Sequence, residues 1–80
     1  MRVEVRVMPK SGVLDPQGKA IAGALARLGF QGVEDVRAGK VFTIDLATAD
    51  AAAAREEARQ MAEKLLANPV IEDFEVEVKG

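Results

Sequence analysis

The chain has 80 residues, with 11 basic and 13 acidic side chains and a formal net charge of −2. This length predicts a single domain, residues 1–80. A domain of this size is only marginally stable alone and usually needs a partner. The near-neutral charge argues against nucleic-acid binding, and no apolar run approaches the roughly 20 residues that span a bilayer. The charged start is unlike a signal peptide, so we expect a cytoplasmic protein.

The side chains that most often perform catalysis are missing. The chain contains neither Cys nor His, and its only aliphatic hydroxyl groups belong to Ser11, Thr43 and Thr48. Activated nucleophiles and proton shuttles near neutral pH usually depend on those absent residues. We therefore predict no catalytic residue, no cofactor-binding residue and no metal ligand in this chain.

The first half of the chain predicts a strand followed by a helix. Val alternates with charged residues over Arg2–Met8, which is typical of a half-buried strand, and Pro9–Pro16 is rich in loop residues. A helix is then expected over Pro16–Leu28, ending at Gly29. Its apolar stripe consists of Ile21, Ala24, Leu25 and Leu28.

The middle of the chain predicts a hairpin and a second helix. Two strand-like runs, Val33–Arg37 and Lys40–Leu46, flank Ala38-Gly39. Strong helix formers then follow the N-cap residue Asp50 and stop at Asn68-Pro69. The predicted buried stripe of this helix is Ala54, Ala58, Met61, Ala62 and Leu65.

A last strand closes the pattern, because Phe74, Val76 and Val78 alternate with charged residues. The element order predicts an α+β, ferredoxin-like βαββαβ fold, in which two helices cover one face of a four-stranded antiparallel sheet. In that topology the first and last strands are neighbours. Their outer rows would place charges of opposite sign side by side, each pair contributing up to about 1 kcal/mol.

The segment "GVLDPQGKA" (Gly12–Ala20) ends in Gly-Lys, as a phosphate-binding loop does. Such a loop needs four residues between its glycines and a hydroxyl residue after Lys, whereas this segment has one residue too many and ends in Ala20. Asp15 would repel phosphate, and Pro16 offers no N–H. We interpret the segment as a helix start, with Asp15 as N-cap and Pro16 as first helical residue.

The remaining charged residues predict surfaces rather than reaction centres. Adjacent acidic pairs such as Glu34-Asp35 would point to opposite faces of a strand and cannot act together. Arg37 and Lys40, at the predicted hairpin turn, are the candidate contact to an acidic partner, although an exposed tip explains them equally well. An RNA-recognition module shares the strand order, but its aromatic residues stack on bases, whereas Phe42 and Phe74 fall on predicted core faces.

Three segments resemble the PurS subunit family of phosphoribosylformylglycinamidine (FGAM) synthase: Val13–Ile21, Val33–Lys40 and Glu63–Val78, which read "VLDPQGKAI", "VEDVRAGK" and "EKLLANPVIEDFEVEV". They occur in the same order and at similar spacing, and the resemblance runs through almost the whole chain. It implies a PurS-like oligomer of ferredoxin-like build, associating through its strands as a dimer or a dimer of dimers.

The resemblance also implies a function without a chemical step. FGAM synthase converts formylglycinamide ribonucleotide (FGAR) to FGAM with glutamine and ATP, in de novo purine biosynthesis. PurS would bridge the PurQ glutaminase and the PurL synthetase and assist ammonia transfer, while ATP and magnesium are used by the synthetase. The alternative is a regulatory domain of ferredoxin-like build that binds a small molecule at a dimer interface near a Gly-containing loop.

Overall fold

The computed structural model describes all 80 residues, Met1 to Gly80. Strand β1 (Arg2–Pro9) is followed by helix α1 (Pro16–Arg27), strand β2 (Lys40–Asp45), helix α2 (Ala51–Met61) and strand β3 (Glu72–Val78). The last turn of α2 continues as a π-helical segment, Ala62–Leu66. None of these helices is long and apolar enough to cross a membrane.

The sheet has three antiparallel strands in the order β2-β1-β3. The prediction of neighbouring first and last strands is confirmed, but the prediction of four strands is wrong. The expected second strand, Val33–Arg37, has no regular secondary structure and lies outside the sheet. Residues 31–39 make no backbone-to-backbone hydrogen bond, so no hairpin forms around Ala38-Gly39. A strand-like sequence is not enough to form a strand, because pairing also needs a neighbouring strand edge within reach.

The core lies between the sheet and α2. Its seven buried residues are all Val or Ala: Val3, Val5, Val7, Ala54, Ala58, Ala62 and Ala67. The valines of β1 are flanked by apolar residues on both sides, since Val5 lies opposite Phe42 of β2 and Val76 of β3. The small alanines let α2 approach the sheet closely, and their spacing of four residues keeps them on one face of the helix.

The predicted buried stripe of α2 is correct at its three alanines, Met61 is only half-buried, and the prediction is wrong at Leu65, which is 84 % exposed. The reason lies in the π-helical segment, where the N–H of Ala67 donates to the carbonyl of Ala62, five residues earlier. A π-helical turn contains more residues than an α-helical turn. Leu65 is therefore rotated outward, and Ala67 takes the buried position that α-helical spacing assigned to Leu65.

Helix α1 forms as predicted but does not cover the sheet. Its termini match the sequence: Asp15 caps the start, and Gly29 has φ of +101° in a C-terminal motif where Phe30 N–H donates to Leu25 O. However, no α1 residue belongs to the core or to the hydrophobic residues packed against it. The chain accordingly extends over 48 × 25 × 14 Å, and the ends of the α1 stripe, Ile21 and Leu28, are exposed while Ala24 and Leu25 are half-buried.

Candidate functional site

Arg37 lies in the loop that leads into β2 and Lys40 is the first residue of β2, so neither is at a hairpin turn. This loop is tied to two other parts of the chain. The N–H of Ala38 donates to Asp15 Oδ2 at 2.7 Å, and Arg37 Nη1 donates to the carbonyl oxygen of Pro9 at 3.0 Å. These two bonds are the anchors that hold the loop at the end of β1.

Gly39 permits the loop to approach β1 closely. A Cβ atom at this position would stand 2.6 Å from the carbonyl oxygen of Val7 and would overlap the sulfur of Met8. Since the Val7 oxygen is backbone, a larger residue at position 39 would push the loop away from the strand. Glycine is therefore required here for the space it leaves, and it fixes where Arg37 and Lys40 stand relative to the sheet.

A cleft of about 320 Å³ opens where β1 ends and β2 and β3 begin; we call it the sheet-end cleft. Its lining combines three cations, two carboxylates and an apolar floor: Arg6, Met8, Arg37, Gly39, Lys40, Val41, Asp73, Phe74 and Glu75. The two residues proposed from the sequence as a partner contact thus share one cleft. The floor residues and Gly39 were missed, because only the fold brings β1, β2 and β3 together.

The carboxylates around Arg6 form an ion-pair network on the outer face of the sheet. Its guanidinium donates to Glu4 at 2.8 Å, Glu77 at 3.0 Å and Glu75 at 3.2 Å. These bonds raise the pKa of Arg6, and the Arg6 and Lys79 bonds hold the pKa of Glu77 below its usual value. The predicted pairing of opposite charges between β1 and β3 is therefore confirmed at Arg6 but not along the whole strand, because Glu4 lies opposite Glu77 and Arg2 pairs with Asp45 of β2.

Arg37 and Lys40 differ from Arg6 in forming no ion pair. Both side chains belong to exposed residues, and the only side-chain hydrogen bond of the two is the one from Arg37 to Pro9. The sheet-end cleft therefore carries two exposed cationic side chains that form no close ion pair within the chain.

The Gly-Lys segment at the start of α1 serves the fold. Asp15 Oδ1 accepts from Gly18 N–H at 3.0 Å while Oδ2 accepts from Ala38 N–H, so one carboxylate joins α1 to the loop before β2. The Ala38 bond, then the Gly18 bond, lowers the pKa of Asp15. Gly18 is buried, and a Cβ there would overlap the carbonyl oxygen of Val36. The amides that a phosphate would need are thus occupied by Asp15.

The other polar side chains form no arrangement that resembles a reaction centre. No group of three or more acidic side chains is placed to hold a metal ion. No buried side-chain nitrogen or oxygen lacks a hydrogen-bond partner. Thr48 Oγ1 accepts from the backbone of Asp50 at 3.1 Å, beside the N-terminus of α2, with no general base in contact. The sheet-end cleft offers charged and apolar contacts to a binding partner.

Comparison with known proteins decides the family. The family described as "PurS: Phosphoribosylformylglycinamidine (FGAM) synthase" matches residues 2–80. The chain belongs to the PurS family. The PurS subunit of FGAM synthase from Mycobacterium leprae is 49% identical over 75 residues, which cover 94% of this chain and 91% of the relative. The predictions of a PurS chain and of a subunit of FGAM synthase are confirmed.

Solved PurS structures have the same fold. The structure of Methanocaldococcus jannaschii PurS, one of the subunits of formylglycinamide ribonucleotide amidotransferase in the purine biosynthetic pathway, aligns with a TM-score of 0.83 and 39% identity, covering 95% of this chain and 92% of that chain. A chain of the PurLQS structure from Thermotoga maritima aligns with a TM-score of 0.84 and 30% identity, covering 95% and 93%. The α+β prediction therefore holds, with three strands instead of four.

Proposed function

We propose that residues 1–80 act as a single PurS domain that bridges a PurQ glutaminase and a PurL synthetase in a cytoplasmic FGAM synthase. In this role the chain assists the passage of ammonia from glutamine to FGAR. ATP and magnesium are used by the synthetase, and this chain binds neither. The similarity to a chain of the Thermotoga maritima PurLQS structure over nearly the whole length carries the proposal.

The composition and the surface support a role without a chemical step. The chain lacks His and Cys, and its only aliphatic hydroxyl groups are those of Ser11, Thr43 and Thr48. A binding role instead needs exposed surfaces whose apolar or charged groups have no partner within the single chain. Two such surfaces are present: the uncovered apolar face of α1, and the sheet-end cleft with its two unpaired cations.

The apolar face of α1 supports the proposed pairing with a second copy. Leu28 and Phe30 are 74 % and 57 % exposed, and Leu14 before the helix is 67 % exposed. Exposed apolar area of this kind on a small domain marks an interaction surface. The core beneath the sheet contains only Val and Ala among its buried residues, so burial of this face between two copies would add the area that an 80-residue chain lacks.

Segment 31–39 supports the same pairing. Its backbone groups make no backbone-to-backbone hydrogen bond, and only the N–H of Ala38 is bonded, to the side chain of Asp15. Val33–Arg37 has a strand-like sequence, and unpaired N–H and C=O groups are a template for a further strand. A second copy would supply a strand to pair with Val33–Arg37.

Reconstitution tests the bridging role. Purified PurL and PurQ should form FGAM from FGAR with glutamine only when this chain is added. With an ammonium salt in place of glutamine, the dependence on this chain should be much smaller, because delivery of ammonia between subunits is bypassed. Full glutamine-dependent turnover without this chain would contradict the proposal.

A further inference from the structure

We propose that Met8 is a modification site, at which a peroxide oxidises the thioether to a sulfoxide and thereby loosens the loop before β2 from the end of β1. The inference goes beyond the proposed function, because it concerns a change within this chain and needs neither PurL nor PurQ. The exposure of Met8, the contact of its sulfur with Gly39 and the cations of the sheet-end cleft support it.

Met8 is the most accessible methionine of the chain. There are three methionines, of which Met8 is exposed, at 38 %, whereas Met1 and Met61 are half-buried. The Met8 side chain also lines the sheet-end cleft, where a small oxidant can approach it. A thioether has no S–H to lose before it reacts, so access of the oxidant is the main requirement. We therefore expect Met8 to be oxidised first.

The oxidation transfers one oxygen atom to the sulfur. A lone pair of the Met8 sulfur attacks one oxygen of hydrogen peroxide and forms the S–O bond, while the O–O bond breaks. The leaving hydroxide takes the proton of the transferred hydroxyl group and departs as water. The sulfur loses two electrons and the peroxide gains them, so the step needs no other co-reactant. Reduction back to the thioether uses a sulfoxide reductase and two thiols, which yield a disulfide and water.

The sulfur of Met8 fills the space that Gly39 leaves beside β1. A Cβ atom at Gly39 would overlap this sulfur and would stand 3.4 Å from the Met8 Cε atom. The loop thus rests on the thioether as well as on the backbone of the strand. Sulfoxidation turns this apolar group into a larger, polar one. Because the sulfur already packs against Gly39, the added oxygen finds no room on that side and has to point into the cleft.

The cations of the cleft favour an oxygen in that position. Arg6, Arg37 and Lys40 line the cleft, and the last two form no ion pair within the chain. Guanidinium and ammonium groups donate hydrogen bonds to an oxygen with partial negative charge. Movement of the sulfoxide toward these donors takes the sulfur away from Gly39, so the loop loses its apolar contact with β1.

The backbone amide of Ala38 reports on this loop. Its N–H donates to Asp15 Oδ2 at 2.7 Å, so its hydrogen exchanges with solvent only when that bond opens. Met8 lies on the outer face of the sheet, whereas the buried valines and alanines lie on the other face. Oxidation of Met8 should therefore speed exchange at Ala38 and leave exchange at the amides of α2 unchanged.

Treatment of the full chain with hydrogen peroxide tests the proposal, with mass spectrometry to locate the oxygen and NMR to measure amide exchange. Oxidation at Met8 should speed exchange at Ala38 at least about fivefold. Methionine sulfoxide reductases with a dithiol should restore the original rate. Unchanged exchange at Ala38 in a chain oxidised at Met8 would overturn the inference, and so would an intact Met8 thioether in a chain whose Met1 and Met61 are oxidised.

Three substitutions separate Met8 from general oxidative damage. Met8→Leu keeps an apolar side chain of similar volume without the sulfur, so peroxide should not change its exchange at Ala38. The matched control Met61→Leu should respond to peroxide as the wild-type chain does. Met8→Gln places a polar oxygen near the position of the sulfoxide and should speed exchange without peroxide. A wild-type response to peroxide in Met8→Leu, or wild-type exchange in a folded Met8→Gln chain, would refute the role of Met8.

Discussion

Leu28 offers the sharpest test of how two copies would pair. It ends the apolar stripe of α1 and is 74 % exposed, while its backbone N–H donates to Ala24 and Leu25. Replacing it by Ser removes the apolar contact and leaves these backbone bonds in place. Because Leu28 contributes nothing to the core, Leu28→Ser should leave the stability of the separate chain almost unchanged.

The expected effect follows from the uncovered area. Full burial of a Leu side chain contributes about 1.5–3 kcal/mol, so covering the three quarters that is exposed contributes about 1–2 kcal/mol. A symmetric dimer contains this side chain twice, which gives about 2–4 kcal/mol. The dissociation constant of Leu28→Ser should therefore rise roughly 30-fold to 700-fold relative to the wild-type chain.

Sedimentation equilibrium over a range of concentrations measures this change. Leu65→Ser is the matched control, because Leu65 is 84 % exposed and lies on the opposite helix, away from α1. The control should dimerise as the wild-type chain does. A well-folded wild-type monomer at micromolar concentration, or equal weakening by Leu65→Ser, would refute the assignment of the α1 face as the pairing surface.

Three further predictions concern the start of α1. Asp15→Ala should destabilise the fold at about pH 7. Because the folded-state pKa of Asp15 is lowered, the difference in urea midpoint between the wild-type chain and Asp15→Ala should disappear as pH falls below about 4, through that pKa. A difference that does not change with pH would contradict this. Gly→Ala in a helix normally stabilises by about 1 kcal/mol. Gly18→Ala should instead lower the melting temperature, because its Cβ would overlap Val36, whereas Gly23→Ala, with its nearest contact at 3.5 Å, should raise it. Lys19→Ala should leave melting unchanged with and without ATP, and a Lys19-dependent shift by ATP would mean that the segment is a nucleotide site after all.

The sequence predicted the packing correctly where both of the apolar faces that touch belong to the same chain. The alternating valines of β1 and the alanines of α2 indicated apolar faces that pack on each other, and the structure confirms this. The stripe of α1 was equally clear, but periodicity shows which face is apolar and not what covers it. For the same reason the strand predicted at Val33–Arg37 is absent from the sheet, since a strand needs a neighbouring edge as well as a strand-like sequence.

The candidate site was predictable only in part. Arg37 and Lys40 were found because two cations beside a Gly stand out in a loop. The position of these two side chains relative to the sheet was not predictable, because it depends on a hydrogen bond between Ala38 and the carboxylate of Asp15, 23 residues earlier in the chain. The floor formed by Met8 and Val41 requires the register of β1 and β2, which sequence alone does not specify.

The π-helical segment at Ala62–Leu66 has a consequence for how chains of this kind vary in length. Its longer hydrogen-bonded turn holds a residue that an ordinary α-helical turn would not need. Deleting one residue there would let the turn relax to α-helix while Ala58 and β3 keep their places. Natural insertions and deletions of a single residue between α2 and β3 are therefore expected to fall within this turn, because the helix there can change between π and α geometry without moving its neighbours.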